Sequence, residues 1–167
     1  MARLIIFSFL VCLFTLQGFG QVVDGVIGTN EYKKVYEPTK ELKVYVSSTN
    51  NEVLSIGVQS TSSGWFSIAL GSPRMDGAYM FVVTTKDGKN YVIDEYIGVG
   101  HSHKTVKEKQ VKSFAFSKDN DIVTVEFSIP NKLNNVELKG KVSSIWAISK
   151  DYKFGYHSKR GKLELEF

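Results

Sequence analysis

Apolar residues recur at every second position through most of the chain. Leu42, Val44 and Val46 alternate with polar or aromatic neighbours, as do Leu54, Ile56 and Val58. Val123, Val125, Phe127 and Ile129 repeat the pattern, and so do Phe114 with Phe116 and Leu163 with Leu165 and Phe167. A period of two marks strands with one buried and one wetted face, the habit of antiparallel sheets. Tyr79 to Val83 is apolar throughout and reads as a central strand packed on both faces. Turn signals punctuate the runs at Thr49-Asn50-Asn51, at Lys86 to Asn90 and at Lys118 to Asp121. The Asp87-Gly88 step favours a tight hairpin between Tyr79–Thr85 and Tyr91–Ile97. Asn131 to Lys141 has room for one short helical turn; otherwise no helical period follows Gln21. The pattern predicts one all-β domain over residues 21–167, an antiparallel sandwich or barrel.

The first twenty residues break this pattern. Arg3 is followed by an almost wholly apolar run from Leu4 to Leu16 and by Gly18-Phe19-Gly20, a small-x-small step. This predicts a signal peptide over residues 1–20 and a secreted or periplasmic domain after cleavage; the run is shorter than the roughly 20 residues of a membrane span. The one cysteine, Cys12, lies in that segment, so the remaining chain has no disulfide and no C-x-x-C-H attachment site. The net charge of +4 is spread along the chain without a basic block, which argues against nucleic acid as a partner. A mildly basic surface could steer an acidic protein partner.

Few residues can carry chemistry. After residue 20 there are two methionines, Met75 and Met80, and three histidines, His101, His103 and His157. Met75 follows Ser72-Pro73-Arg74 and precedes Gly77, which places it in a loop or strand entry, whereas Met80 sits inside a strand run. His157 follows the turn through Lys150 to Lys153, near the start of the last hairpin arm. His101-Ser102-His103 alternate on an extended segment and could offer two nitrogens to zinc or copper, with Asp94 or Glu95 as a third ligand. The acidic residues are scattered, and there is no G-x-S-x-G, H-E-x-x-H or phosphate-binding loop, so hydrolytic chemistry has no support.

Gly64 to Leu70 followed by Met75-Asp76-Gly77-Ala78 resembles the DOMON family, named after the N-terminal domain of dopamine beta-monooxygenase. Asp24 to Tyr32 is similar to the opening of bacterial members, Glu126 to Pro130 to a late strand, and Trp146-Ala147-Ile148 with Tyr156 to Gly161 to the C-terminal strands. The resemblance implies an immunoglobulin-like antiparallel β-sandwich. It also implies haem b, held without covalent bonds between Met75 and His157, in an electron-transfer domain that turns over no substrate and serves a redox partner protein; by spacing alone, His101 or His103 could take the place of His157. Trp65, Phe66, Tyr79, Phe81, Trp146 and Tyr156 are then candidates for the pocket walls, and Arg74, Lys159 and Arg160 for the propionates. Other members bind sugars, so a carbohydrate-binding module is the alternative; there Trp65, Trp146 or a surface tyrosine would stack on a sugar ring. The two readings differ in whether Met75 and His157 face one slot.

Overall fold

A computed structural model describes residues 22–48, 52–134 and 136–167. The expected signal segment, Cys12 and the Thr49-Asn50-Asn51 turn lie outside the described residues. Every strand pair is antiparallel, and no described residue is helical. Numbered in chain order, the strands are β1 (Lys34–Thr39), β2 (Leu42–Ser48), β3 (Val53–Ser60), β4 (Phe66–Leu70), β5 (Tyr79–Thr85), β6 (Tyr91–Val99) and β7 (Ser102–Thr105). They continue with β8 (Ser113–Asp119), β9 (Ile122–Pro130), β10 (Lys132–Leu133), β11 (Val136–Glu137), β12 (Lys141–Ile148) and β13 (Lys159–Glu166). One sheet has the order β1-β2-β3-β9-β8 and the other β13-β12-β4-β5-β6-β7, with β10-β11 a separate hairpin.

The alternating residues do what their period predicts. Val44, Val46, Ile56, Val125 and Phe127 from the five-stranded sheet share one core with Phe66, Ile68, Phe81, Trp146 and Leu165 from the six-stranded sheet. The Phe81 and Phe127 rings, one from each sheet, meet at 4.9 Å. At about 25 cal/mol per Å² of apolar area, this shared layer is the main stabilising term.

Each outer face carries a second layer over part of its area. On the five-stranded sheet, Glu126 Oε2 accepts hydrogen bonds from the backbone N–H groups of Asp24, Gly25 and Val26, and Oε1 accepts the Tyr32 hydroxyl. This carboxylate pins the segment before β1 across the sheet and is itself fully buried. On the six-stranded sheet, Trp65, Ala69, Ala78, Met80 and Val82 form a separate apolar cluster. β5 is therefore buried on both faces, as its unbroken apolar run implies.

Two local expectations are corrected. The described residues of Asn131 to Lys141 hold the β10-β11 hairpin and no helical turn: Asn134 takes φ 52°, and Leu133 within the hairpin and Leu138 after it are buried. The Asp87-Gly88 connection is a five-residue loop, because Thr85 pairs with Tyr91. Asp87 Oδ1 accepts the N–H groups of Lys89 and Asn90, which closes the loop from a side chain and holds the carboxyl well below its usual range. Two-residue turns instead join Thr39 to Leu42, Val99 to Ser102 and Asp119 to Ile122.

Candidate functional site

A cavity of about 760 Å³ lies on the outer face of the six-stranded sheet. Its floor exists because β4 and β12 present small residues there. Ser67, Ala69 and Ala147 face outward, while Phe66, Ile68, Trp146 and Ile148, one position out of phase, fill the core. Met80 and Ile145 complete the floor, and Trp65 and Phe154, edge to face at 5.0 Å, form a wall.

Met75 reaches the cavity from the loop between β4 and β5. Gly71 and Gly77 adopt φ of 86° and 77° and so turn the chain where other residues would be strained. Ser72 Oγ accepts the Arg74 N–H and donates to the Asp76 carbonyl, and Asp76 Oδ1 accepts the Gly100 N–H at 2.8 Å. The loop also lies flat on β6: Gly77 N–H donates to the Gly98 carbonyl, and Gly98 N–H to the Ala78 carbonyl, both at 3.0 Å.

His157 reaches the same cavity from the loop between β12 and β13. Ser149 Oγ donates to the Tyr156 carbonyl, and the Ser158 N–H returns to the Ile148 carbonyl at 2.9 Å. The loop is tied to the strand entry at Trp65, whose N–H donates to the Asp151 carbonyl. His157 Nε2 lies 3.0 Å from Arg160 Nη1. Met75 and His157, 82 positions apart in the sequence, thus line one cavity.

The remaining expected residues divide by strand parity. Trp65, Trp146, Tyr156, Arg74 and Arg160 line the cavity. Trp146 also belongs to the core cluster between the sheets. Tyr79 does not line it: its side chain points into the core, where its hydroxyl donates to Glu95 Oε2 at 2.7 Å and burial pushes the phenol well above its usual pKa. Phe66 and Phe81 point the same way. Lys159 turns to an ion pair with Glu41. The residues missed from sequence are Ser67, Ala69, Met80, Ile145, Ala147, Phe154 and Lys162. Small residues at alternate positions of β4 and β12 were the signal for the floor.

The separate metal site expected at His101 and His103 does not assemble. Both side chains line the cavity, but His103 packs against Tyr96 and Phe154, at 4.9 and 4.6 Å. Asp94 pairs with Lys109, and Glu95 accepts Tyr79 and the N–H groups of Gln110 and Val111. Among the described residues no three His, Cys, Asp or Glu side chains gather as a metal site. A sugar platform is equally absent at the tryptophans, with Trp65 only 2% and Trp146 only 8% exposed; Tyr156, 86% exposed, is the one open aromatic at the rim.

The donor set suits a haem. The thioethers of Met75 and Met80 and the imidazoles of His101, His103 and His157 share a slot of a size typical for cofactor sites, about 300–1,000 Å³. The floor is apolar, and Arg74, Arg160 and Lys162 bring positive charge to the lining. The indole N–H of Trp65 is buried without a hydrogen-bond partner, a group that costs about 1–3 kcal/mol unless a ligand accepts from it. Among the described residues no helix is long and apolar enough to cross a membrane.

Comparison with known proteins agrees with this architecture. The model of the DOMON domain family matches residues 38–149. No curated protein matches the sequence. Among solved structures, the chain resembles the cytochrome b domain of pyranose dehydrogenase from Coprinopsis cinerea, with a TM-score of 0.57 and 13% identity over 75% of this chain and 76% of that one. It also resembles the cytochrome domain of Myriococcum thermophilum cellobiose dehydrogenase, with a TM-score of 0.58 and 10% identity over 80% of each chain.

Proposed function

The chain belongs to the DOMON family, and from that premise we propose that it is an exported immunoglobulin-like β-sandwich that binds haem b and passes single electrons. Met75 and His157 would hold its iron. The observation that carries this reading is their arrival, on two separate loops, at one cavity with an apolar floor. Haem bound there would supply a one-electron couple. The likeness to two fungal cytochrome domains supports the fold on which this reading rests.

The chain's own residues supply the rest. The loop hydrogen bonds through Ser72, Asp76 and Gly98 hold Met75, and those through Ser149 and Ser158 hold His157. Ala69, Met80, Ile145 and Ala147 keep water from the floor, and a thioether ligand with a dry surround raises a reduction potential. Arg160 and Lys162 receive carboxylates at the rim, where their charge also favours an acidic redox partner. The domain itself turns over no substrate.

The test is the absorption spectrum of the purified protein with haem supplied, oxidised and then reduced. A Soret band with sharp low-spin visible bands is expected in wild type. Met75→Ala and His157→Ala should each lose the low-spin signature. Uptake that ignores both substitutions, or no uptake at all, would refute the assignment.

A further inference from the structure

Arg160 lies in the lining of the cavity. On edge strand β13 it pairs with Ala147, and Lys162 pairs with Ile145. Ala147 and Ile145 face the cavity, so both cations project over it. Among the described residues neither has a carboxylate partner, in contrast to Lys159 and Lys141. Arg160 Nη1 instead lies 3.0 Å from His157 Nε2.

The chemistry of that contact has one solution. A guanidinium carries only donors and does not lose its proton, so Nε2 must accept. His157 is then the neutral tautomer with its proton on Nδ1, and the Nε2 lone pair is engaged. That lone pair is also one of the two with which an imidazole can hold a metal. The guanidinium has to leave Nε2 before this nitrogen can become a ligand. It will leave most readily for a carboxylate, because an anion offers it an ion pair with two parallel hydrogen bonds in place of one bond to a neutral nitrogen. Lys162, two residues along on the same face, offers such a carboxylate a second cation.

We propose that Arg160 is a selectivity latch: it masks His157 Nε2 until a carboxylate at the cavity rim draws the guanidinium away, so the site favours a tetrapyrrole with free carboxylates. This rests on the haem-binding reading of the cavity. It makes Arg160 a positioning residue with two alternating partners, one internal and one on the ligand.

Two measurements test it. The first needs no haem. Long-range proton–nitrogen NMR of the ring nitrogens, with His157 assigned through His157→Gln, should find the Nδ1–H tautomer in the wild-type apoprotein. In Arg160→Met it should shift toward the Nε2–H form; an unchanged tautomer overturns the mask. The second compares stopped-flow uptake of haemin and its dimethyl ester, which lacks free carboxylates. Wild type should take up the ester roughly tenfold more slowly, the scale of one charge-assisted hydrogen bond. Arg160→Met should bring the two rates together, chiefly by accelerating the ester. An equal ratio in both proteins overturns the selectivity. Absence of uptake by wild type overturns both the selectivity and the haem reading, whereas uptake that needs His157 but ignores Arg160 overturns the latch alone.

Discussion

Gly98 is the sharpest place to test how the fold builds the site. It sits on β6 directly beneath the Met75 loop, and a Cβ there would lie 1.7 Å from the Met75 carbonyl oxygen and 2.6 Å from its carbon. Ordinary contact begins near 3.4 Å, so Gly98→Ala forces backbone apart by well over an ångström. No side-chain rotation relieves this, because the obstructing atoms are main chain. The two 3.0 Å hydrogen bonds that join Gly98 to Gly77 and Ala78 cannot survive the shift. Each contributes about 1 kcal/mol, and overpacking adds about 1–3 kcal/mol, for a cost of about 3–5 kcal/mol. In a domain of this size that lowers Tm by roughly 6–20 °C. If the loop lifts away instead of the domain yielding, the stability loss shrinks but Met75 leaves the cavity. Urea unfolding of the apoprotein and haem titration should be measured together, with Gly100→Ala as control. Nothing lies within 4 Å of a Cβ at Gly100, so only the strain of its positive φ, about 1–2 kcal/mol, should appear. A Gly98→Ala protein with wild-type midpoint and wild-type haem affinity would refute the packing argument.

Two further substitutions probe the layers around the site. Glu126→Ala removes the acceptor of the Asp24 and Gly25 N–H groups and of the Tyr32 hydroxyl, while the Val26 N–H keeps Asp24 Oδ1, and should cost about 3 kcal/mol, whereas Glu126→Gln keeps an acceptor and should cost less. Burial pushes the Glu126 carboxyl up, against the pull of the Tyr32, Gly25 and Asp24 donors. The folded state therefore holds its proton to higher pH than the unfolded chain, and the stabilisation is full below the usual carboxylate range and lost as pH rises through the raised folded value. Wild type should lose stability relative to Glu126→Gln across that window in urea melts, and parallel curves would count against it. Gly161→Ala places a Cβ 2.7 Å from Trp146 Nε1, so this buried ring must shift, at about 1–3 kcal/mol. The near-ultraviolet dichroism of Trp146, isolated in a Trp65→Phe background, should change; an identical spectrum would mean the ring has slack.

The strands were legible because their period was. Leu42 to Val46, Leu54 to Val58 and Val123 to Ile129 fall where their alternation puts them, with the expected face in the core. The β10-β11 hairpin was not legible, because two-residue strands are too short to show a period. The misplacement of Tyr79 has a more specific cause. In β5 every residue from Tyr79 to Val83 is buried, so alternation no longer tells one face from the other. The aromatic residue looked like the cofactor wall and Met80 like core filler, but parity runs the other way: Tyr79 and Phe81 face the core, and Met80 faces the cavity.

The same parity explains why a sandwich of this kind can hold a large ligand without giving up its core. The six-stranded sheet puts its bulk on one side, in Phe66, Ile68, Phe81 and Trp146, and its small residues on the other, in Ser67, Ala69 and Ala147. The cavity is thus not a void inside the packed layer, where each lost methylene would cost about 1 kcal/mol. It is a depression on an outer face, roofed by the two loops that deliver Met75 and His157. A side chain at its rim such as Arg160 can then exchange partners while the shared core between the sheets stays fixed. Stability and ligand capture fall to opposite faces of β4, β5 and β12, so substitutions on the outer face should alter haem affinity with little effect on the unfolding of the apoprotein.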